Sequence, residues 1–376
     1  ESKNVNLSKN RVETSSKIYK FDNEIQVEPI DSNESNMEVE DPNYLFSIIS
    51  DGAKNDKFVL LPPSINHYES EKQNLFLIVR SLKKDNGVQR GYTLELGDII
   101  RLGRIEYRVI EYQDNASNRY SLFDLGDTME SGPFKLVVKS SQLDPSVKHL
   151  CRICFMDETE SPEPLVNPCE CKGTTGSIHV SCLQKWINSK VKHKTNQHSA
   201  CSYWKHLICE ICKTPFPDLL ETNDSKVKLI PTLRPENPYM LVERIFYDKS
   251  KGGENSRMMI LLTLNSEEHS LKLGRGHECD IRENDISVSR LHAWIKYQDS
   301  KFVIIDNNSK FGTLILLRRE FEIEKRKIAV QVGRTVITFA LKQAAKDTTS
   351  TAEGSSHHDE ADMELKKYNM NDFDES

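Results

Sequence analysis

The sequence predicts an α+β multidomain chain: two β-rich segments, at residues 57–140 and 237–343, flank a small module at 147–218 organised by two zinc ions. Three observations predict it. Alternating apolar patterns with turn residues recur in both outer segments, eight metal-ligand side chains crowd into the middle, and the ends at 1–56 and 344–376 are acidic and poor in aromatic residues. At 376 residues there is room for two or three domains.

The formal charge of −6 sits at the ends. Lys346 to Ser376 holds nine acids against three lysines, and Glu1 to Pro42 ten acids against five bases. Such stretches bury too little apolar surface to offset chain entropy, so both ends are expected to be disordered. The mildly basic middle has no stripe of Lys and Arg interleaved with aromatics, which argues against nucleic acid as a partner. The longest apolar runs, such as Met258 to Leu262, fall far short of the roughly 18 residues of a membrane span. A soluble chain of the cytoplasm or nucleus is expected. Glu1 is not a methionine, so the natural start is expected upstream.

In the first β-rich segment, Leu75 to Val79 is an apolar run, Asn86-Gly87 signals a hairpin, and Arg104 to Val109 alternates with period two. A linker at Gln142 to Ser146 leads into the middle module.

There the candidate ligands are Cys151, Cys154, Cys169, Cys171, His179, Cys182, Cys209 and Cys212. Cys151/Cys154 and Cys209/Cys212 have the spacing of tight knuckles that aim two sulfurs at one ion about 2.3 Å away. Cys169 and Cys171 flank one residue and, in extended chain, point to one side. His179 and Cys182 stand three apart where a helix begins. Four pairs make two tetrahedral sites. Interleaved pairing, with Cys151, Cys154, His179 and Cys182 on one ion and the other four on the second, would lock a core-poor segment; sequential pairing is the alternative. Disulfides belong to oxidising compartments, and no secretory segment is visible. Four protein ligands leave no open position for water, so the ions are expected to be structural.

Ser181-Cys182-Leu183-Gln184 has the form of a capping box opening a helix that runs to about Lys190. Leu183, Trp186 and Ile187 share one face of it, either packed inside the module or leaving Trp186 partly exposed for a partner. The stretch between Cys182 and Cys209 reads as a polar insertion, its Cys201 a free thiol. Pro231, Pro235 and Pro238 mark the next linker.

From Tyr239 to Lys342, eight strands are predicted: Met240 to Tyr247, Met258 to Leu264, His269 to Leu273, His292 to Tyr297, Phe302 to Ile305, Thr313 to Leu317, Ile328 to Val332 and Val336 to Leu341. Many short strands between turns argue for a β-sandwich. Gly274-Arg275 and Ser289-Arg290 lie in its loops, where a guanidinium beside a hydroxyl can grip phosphate.

The middle module resembles the RING-CH, or RING-variant, family of ubiquitin ligases, through Cys151-Arg152-Ile153-Cys154, Pro168-Cys169-Glu170-Cys171-Lys172-Gly173-Thr174, His179-Val180-Ser181-Cys182-Leu183 with Trp186-Ile187, and Cys209-Glu210-Ile211-Cys212-Lys213. The plant homeodomain finger shares the ligand order but has an aromatic residue where Leu207 stands. The resemblance implies cross-braced ions and a surface that receives a ubiquitin-conjugating enzyme charged with ubiquitin. Ile153, Trp186 and Pro215 match the family's contact groove, and Lys213 the basic residue that steadies the thioester. The implied reaction passes ubiquitin to a substrate lysine, the catalytic cysteine being the partner's.

The C-terminal sandwich resembles a forkhead-associated (FHA) domain, a reader of phosphothreonine peptides, through Gly274-Arg275, Ser289-Arg290, His292 and Asp306 to Thr313. The resemblance implies that Arg275, Ser289 and Arg290 hold a phosphopeptide and that His292 braces the loop. Phe311 stands where the family has asparagine. Leu96 to Gly103 looks like closing strands of the same fold, in a degenerate copy. The expected function is a ligase that recruits a phosphoprotein; the rival is a non-catalytic zinc-binding scaffold.

Overall fold

The computed structural model describes residues 10–12, 14–21, 24–30, 41–50, 58–63, 74–82, 90–124, 138–140, 143, 148–157, 159–161, 163–205, 207–221, 226–230, 234–236, 238–246, 256–264, 270–323, 328–342 and 362–369. Among these the protein is mostly β, with one α-helix, Val180–Lys190. The hairpin signal at Asn86-Gly87 lies outside the described residues.

All eight strands expected after residue 239 form, within a residue or two of their predicted limits. Their partners are the surprise. One 13-stranded sheet runs through the molecule, with a five-stranded sheet packed on its inner face at each end. The first sandwich takes Ser16–Phe21, Glu24–Pro29, Tyr44–Ser50 and Phe58–Leu61 from the start of the chain and Phe321–Ile323, Ile328–Val332 and Thr335–Lys342 from near its end. The second takes Tyr92–Thr93, Ile99–Leu102 and Ile105–Gln113 together with the strands from Tyr239 to Asp306. Leu75–Ile78 pairs antiparallel with Thr313–Leu316 at the seam, where each half of the chain crosses between sandwiches. The segments 57–140 and 237–343, read as successive units, therefore share their sheets. Each half supplies strands whose hydrogen-bonding partners lie more than 100 residues away.

The acidic ends also carry strands, contrary to the disorder expected from their charge. Ile18, Phe46 and Ile48 are fully buried in the core, and Phe46 meets Phe339 edge-on at 5.9 Å. Asp362–Asn369 extends the large sheet beside Thr335–Lys342 and pairs with Asn10–Val12. Net charge averaged over forty residues hides short alternating runs such as Ser-Lys-Ile-Tyr-Lys-Phe, which need only one apolar face and a waiting edge.

Between Cys182 and Cys209 the expected polar insertion is a β-hairpin, Lys192–Thr195 with Ser199–Lys205. Its second strand pairs along Ser256–Thr263 over seven residues, from Ser199 opposite Leu262 to Lys205 opposite Ser256. Cys201 points inward against the main core, while Trp204 is buried on the opposite face. That outer face of the large sheet, with Ile110, Leu241, Met259 and Leu261, forms one apolar cluster with Leu165, Ile178, Leu183, Ile187, Leu219 and Leu220 of the zinc module. The module thus borrows its core from the sheet and is seated on it, tied by its own hairpin.

Candidate functional site

Both knuckles close the same way. Phe155 N–H donates to the Cys151 carbonyl at 2.8 Å and Cys151 N–H to Met156 at 2.9 Å; Lys213 N–H donates to Cys209 and Cys209 N–H to Thr214, each at 2.9 Å. This turn forces the residue after each second cysteine into left-handed backbone, φ 62° at Phe155 and 63° at Lys213. For a residue with a Cβ that conformation costs roughly 1–2 kcal/mol, so the ligands hold the turn against strain.

The eight ligand candidates gather into two groups: Cys151, Cys154, His179 and Cys182 in one, Cys169, Cys171, Cys209 and Cys212 in the other, with donor atoms within 4.8 Å of one another in each. The pairing is interleaved. His179 Nδ1 stands 3.3 Å from Cys154 Sγ, and Cys171 Sγ 3.7 Å from Cys209 Sγ, the spacing of two thiolates on one ion at about 2.3 Å. Thr214 draws the Cys212 thiol down to about 5. Burial pushes Cys169 up to about 12 and Cys182 to about 11, so a cation is needed to hold these as thiolates. The donor chemistry and closed four-ligand sets fit two structural zinc ions.

The helix places its ligand without the predicted capping box. Its N-cap is His179, with no side-chain cap; Ser181 Oγ donates to Glu163 instead, and Gln184 Nε2 reaches the Lys228 carbonyl at 2.9 Å. The helix starts two residues earlier than that motif requires, which brings Cys182 round to the ion held by His179. Leu183 and Ile187 are buried, and Trp186 is half-buried edge-on to Phe216 at 5.7 Å.

Of the residues predicted to meet a partner enzyme, Ile153 is 43% exposed and Pro215 exposed. Lys213 is exposed and its ammonium donates to the Glu210 carbonyl at 2.8 Å. Ile211, Phe155 and Met156 are also exposed on the knuckles, 74% for Phe155. Sequence reasoning passed over these three; their place beside the ligands was the signal.

On the second sandwich, the loops after Ser270–Gly274 and before Ala293–Gln298 meet. Arg275 N–H donates to the Ser289 carbonyl at 2.9 Å and Gly276 N–H to Arg290 at 2.8 Å. A Cβ on Gly274 would lie 2.3 Å from the Arg290 carbonyl oxygen, so the approach requires glycine. His292 is fully buried; burial lowers its pKa, and the neutral ring accepts from Ser289 N–H at Nδ1 (3.1 Å), leaving Nε2–H to donate to the Gly312 carbonyl at 3.3 Å. Ser289 Oγ accepts from Lys310 N–H at 3.0 Å, which leaves its hydroxyl hydrogen for another acceptor. Arg275 and Arg290 are exposed on the same rim. Below it Asp306 accepts from Ser309 and Thr313, backbone and hydroxyl alike, and fixes the turn.

Comparison with known proteins matches residues 151–212 to the RING-variant domain and 271–336 to the FHA domain. The chain carries both domains. The first stretch is similar to E3 ubiquitin-protein ligase MARCHF2 of Homo sapiens, 42% identical over 72 residues, and MARCHF8 of Bos taurus, 33% over 97. It is also similar to E3 ubiquitin-protein ligase marc-3 of Caenorhabditis elegans, 38% identical over 84 residues. These matches cover 19%, 26% and 20% of this chain and 23%, 27% and 16% of those proteins, so the chain spans about a quarter or less of their length. No solved structure matches. Among the described residues no helix is long and apolar enough to cross a membrane.

Proposed function

We propose that this protein is a ubiquitin ligase in which the zinc module receives a ubiquitin-conjugating enzyme carrying ubiquitin, while the second sandwich recruits a phosphothreonine-containing substrate. The observation that carries the reading is the interleaved pair of four-ligand clusters, which leaves Ile153, Pro215 and the Trp186 edge outside the ligand shells. In this reading Ile153, Trp186 and Pro215 form the docking surface, and Lys213 turns from the Glu210 carbonyl toward the thioester. The substrate amine attacks the thioester carbon, the carbon–sulfur bond breaks, and the partner's cysteine leaves as thiol.

Substrate recruitment rests on Arg275, Arg290 and the Ser289 hydroxyl, which together offer a phosphate charge-assisted hydrogen bonds. Joining both functions in one chain raises the effective concentration of substrate at the charged enzyme, so each contact can be weak.

Autoubiquitination across a panel of conjugating enzymes tests the first half. Activity lost in Ile153→Ala or Trp186→Ala, with zinc content intact, supports it; silence of the wild-type chain across the panel turns the reading to a scaffold. The second half expects Arg275→Ala to weaken binding to a phosphothreonine peptide library, and equal wild-type binding to unphosphorylated peptides refutes it.

A further inference from the structure

We propose that Arg152 is a positioning residue that couples the two metal centres. It stands on the first knuckle, between Cys151 and Cys154, and its backbone N–H is fixed to the Ser177 carbonyl at 3.0 Å. Its side chain crosses to the other centre. A single guanidinium nitrogen, Nη1, lies 3.8 Å from Cys169 Sγ and 3.7 Å from both Cys171 Sγ and Cys209 Sγ, and donates to the Thr175 carbonyl at 2.9 Å. Three of the four sulfurs of one centre therefore face a cation whose backbone belongs to the other.

The electrostatics give this arrangement a consequence. Four thiolates outweigh the charge of one zinc ion by two, whereas three thiolates and a neutral imidazole outweigh it by one. The four-sulfur centre thus carries the larger excess of negative charge, three of its ligands are buried, and there water screens that excess poorly. Arg152 supplies the offsetting charge from within hydrogen-bonding range of sulfur. Because the first knuckle's shape depends on its own ion, loss of that ion withdraws the guanidinium from the four-sulfur centre. Stability then passes from the three-sulfur site to the four-sulfur site.

Cobalt(II) in place of zinc separates the two centres, since four-sulfur and three-sulfur–one-nitrogen ligand fields differ in their spectra. With the cobalt-loaded full chain in excess chelator, Arg152→Met is expected to release the four-sulfur ion about 10–100-fold faster than wild type, the usual effect of losing an outer-shell partner. Arg152→Lys, which keeps the charge and loses the planar fork, falls between them. Wild-type release rates from the four-sulfur site in Arg152→Met overturn the proposal, as does acceleration confined to the three-sulfur site. If Arg152→Met does not fold, the wild-type chain decides: the four-sulfur signal should decay faster once the three-sulfur ion has left, and a single decay rate throughout overturns the coupling.

Discussion

The zinc module and the second sandwich hold their binding loops by different means. In the module, eight side chains and two ions fix knuckles in left-handed backbone, and the apolar surface that would support them comes from the outer face of a sheet built by other parts of the chain. In the sandwich, buried alternating strands set the scaffold, and His292, Asp306 and a glycine bring the rim loops together through hydrogen bonds alone. The difference teaches where each is vulnerable: the module to anything that takes its metal, the sandwich to anything that opens its core.

Chelation should divide them most sharply. Structural zinc is worth about 10–16 kcal/mol to a small domain. Excess chelator is therefore expected to open residues 151–212 to protease while Leu271, Ile295 and Ile304 stay protected from hydrogen exchange. Loss of protection in both at one chelator concentration would break the comparison. A core truncation should do the reverse. Phe339 is fully buried in the first sandwich, and Phe339→Ala is expected to cost about 3–5 kcal/mol in denaturant unfolding with two zinc ions still bound.

The junction has its own signature in pH. Glu111, fully buried on Ile105–Gln113, accepts from Tyr239 Oη at 2.6 Å, Arg234 Nε at 2.9 Å and Lys228 Nζ at 3.0 Å. Burial pushes its pKa up, but these donors outweigh it and hold the carboxyl at about 2. A folded-state pKa below the unfolded value means stability that is full above the unfolded carboxylate range, about pH 4, and lost as pH falls toward 2. Since Lys228 and Arg234 lie just beyond the zinc module, acid is expected to weaken its seat on the sheet by a few kcal/mol at most. Glu111→Gln should remove that acid dependence from the unfolding curve.

How much of this was legible depends on range. Ligand spacing is local, so all eight metal residues could be read, and so could the strands after Tyr239, whose alternation needs no partner to be recognised. The exchange of strands between sandwiches could not, because an apolar run shows that Leu75 to Ile78 will be a buried strand, not that Thr313–Leu316 is what it pairs with. The hairpin in the insertion was half legible: Ser-Ala-Cys-Ser-Tyr-Trp-Lys carries the aromatic residues of a strand, but its free-standing polarity masked an edge that only Ser256–Thr263 supplies. The capping box failed for a different reason, since metal geometry overrode the preference of Ser181 for a backbone donor.

The smallest expected effect separates shape from chemistry inside the module. Lys213 carries both a strained φ of 63° and the amine proposed to steady the thioester. Lys213→Gly removes the strain, since glycine visits that region freely, and should raise the module's stability by up to about 1 kcal/mol. Ubiquitin transfer should nonetheless fall, because the amine is gone. Lys213→Arg keeps the charge and the strain, so its stability should match wild type and its activity should largely survive. Full activity in the glycine variant would show that the residue after the last ligand contributes only its fold, and would set the second knuckle apart from the first, whose Ile153 is proposed to meet the partner enzyme.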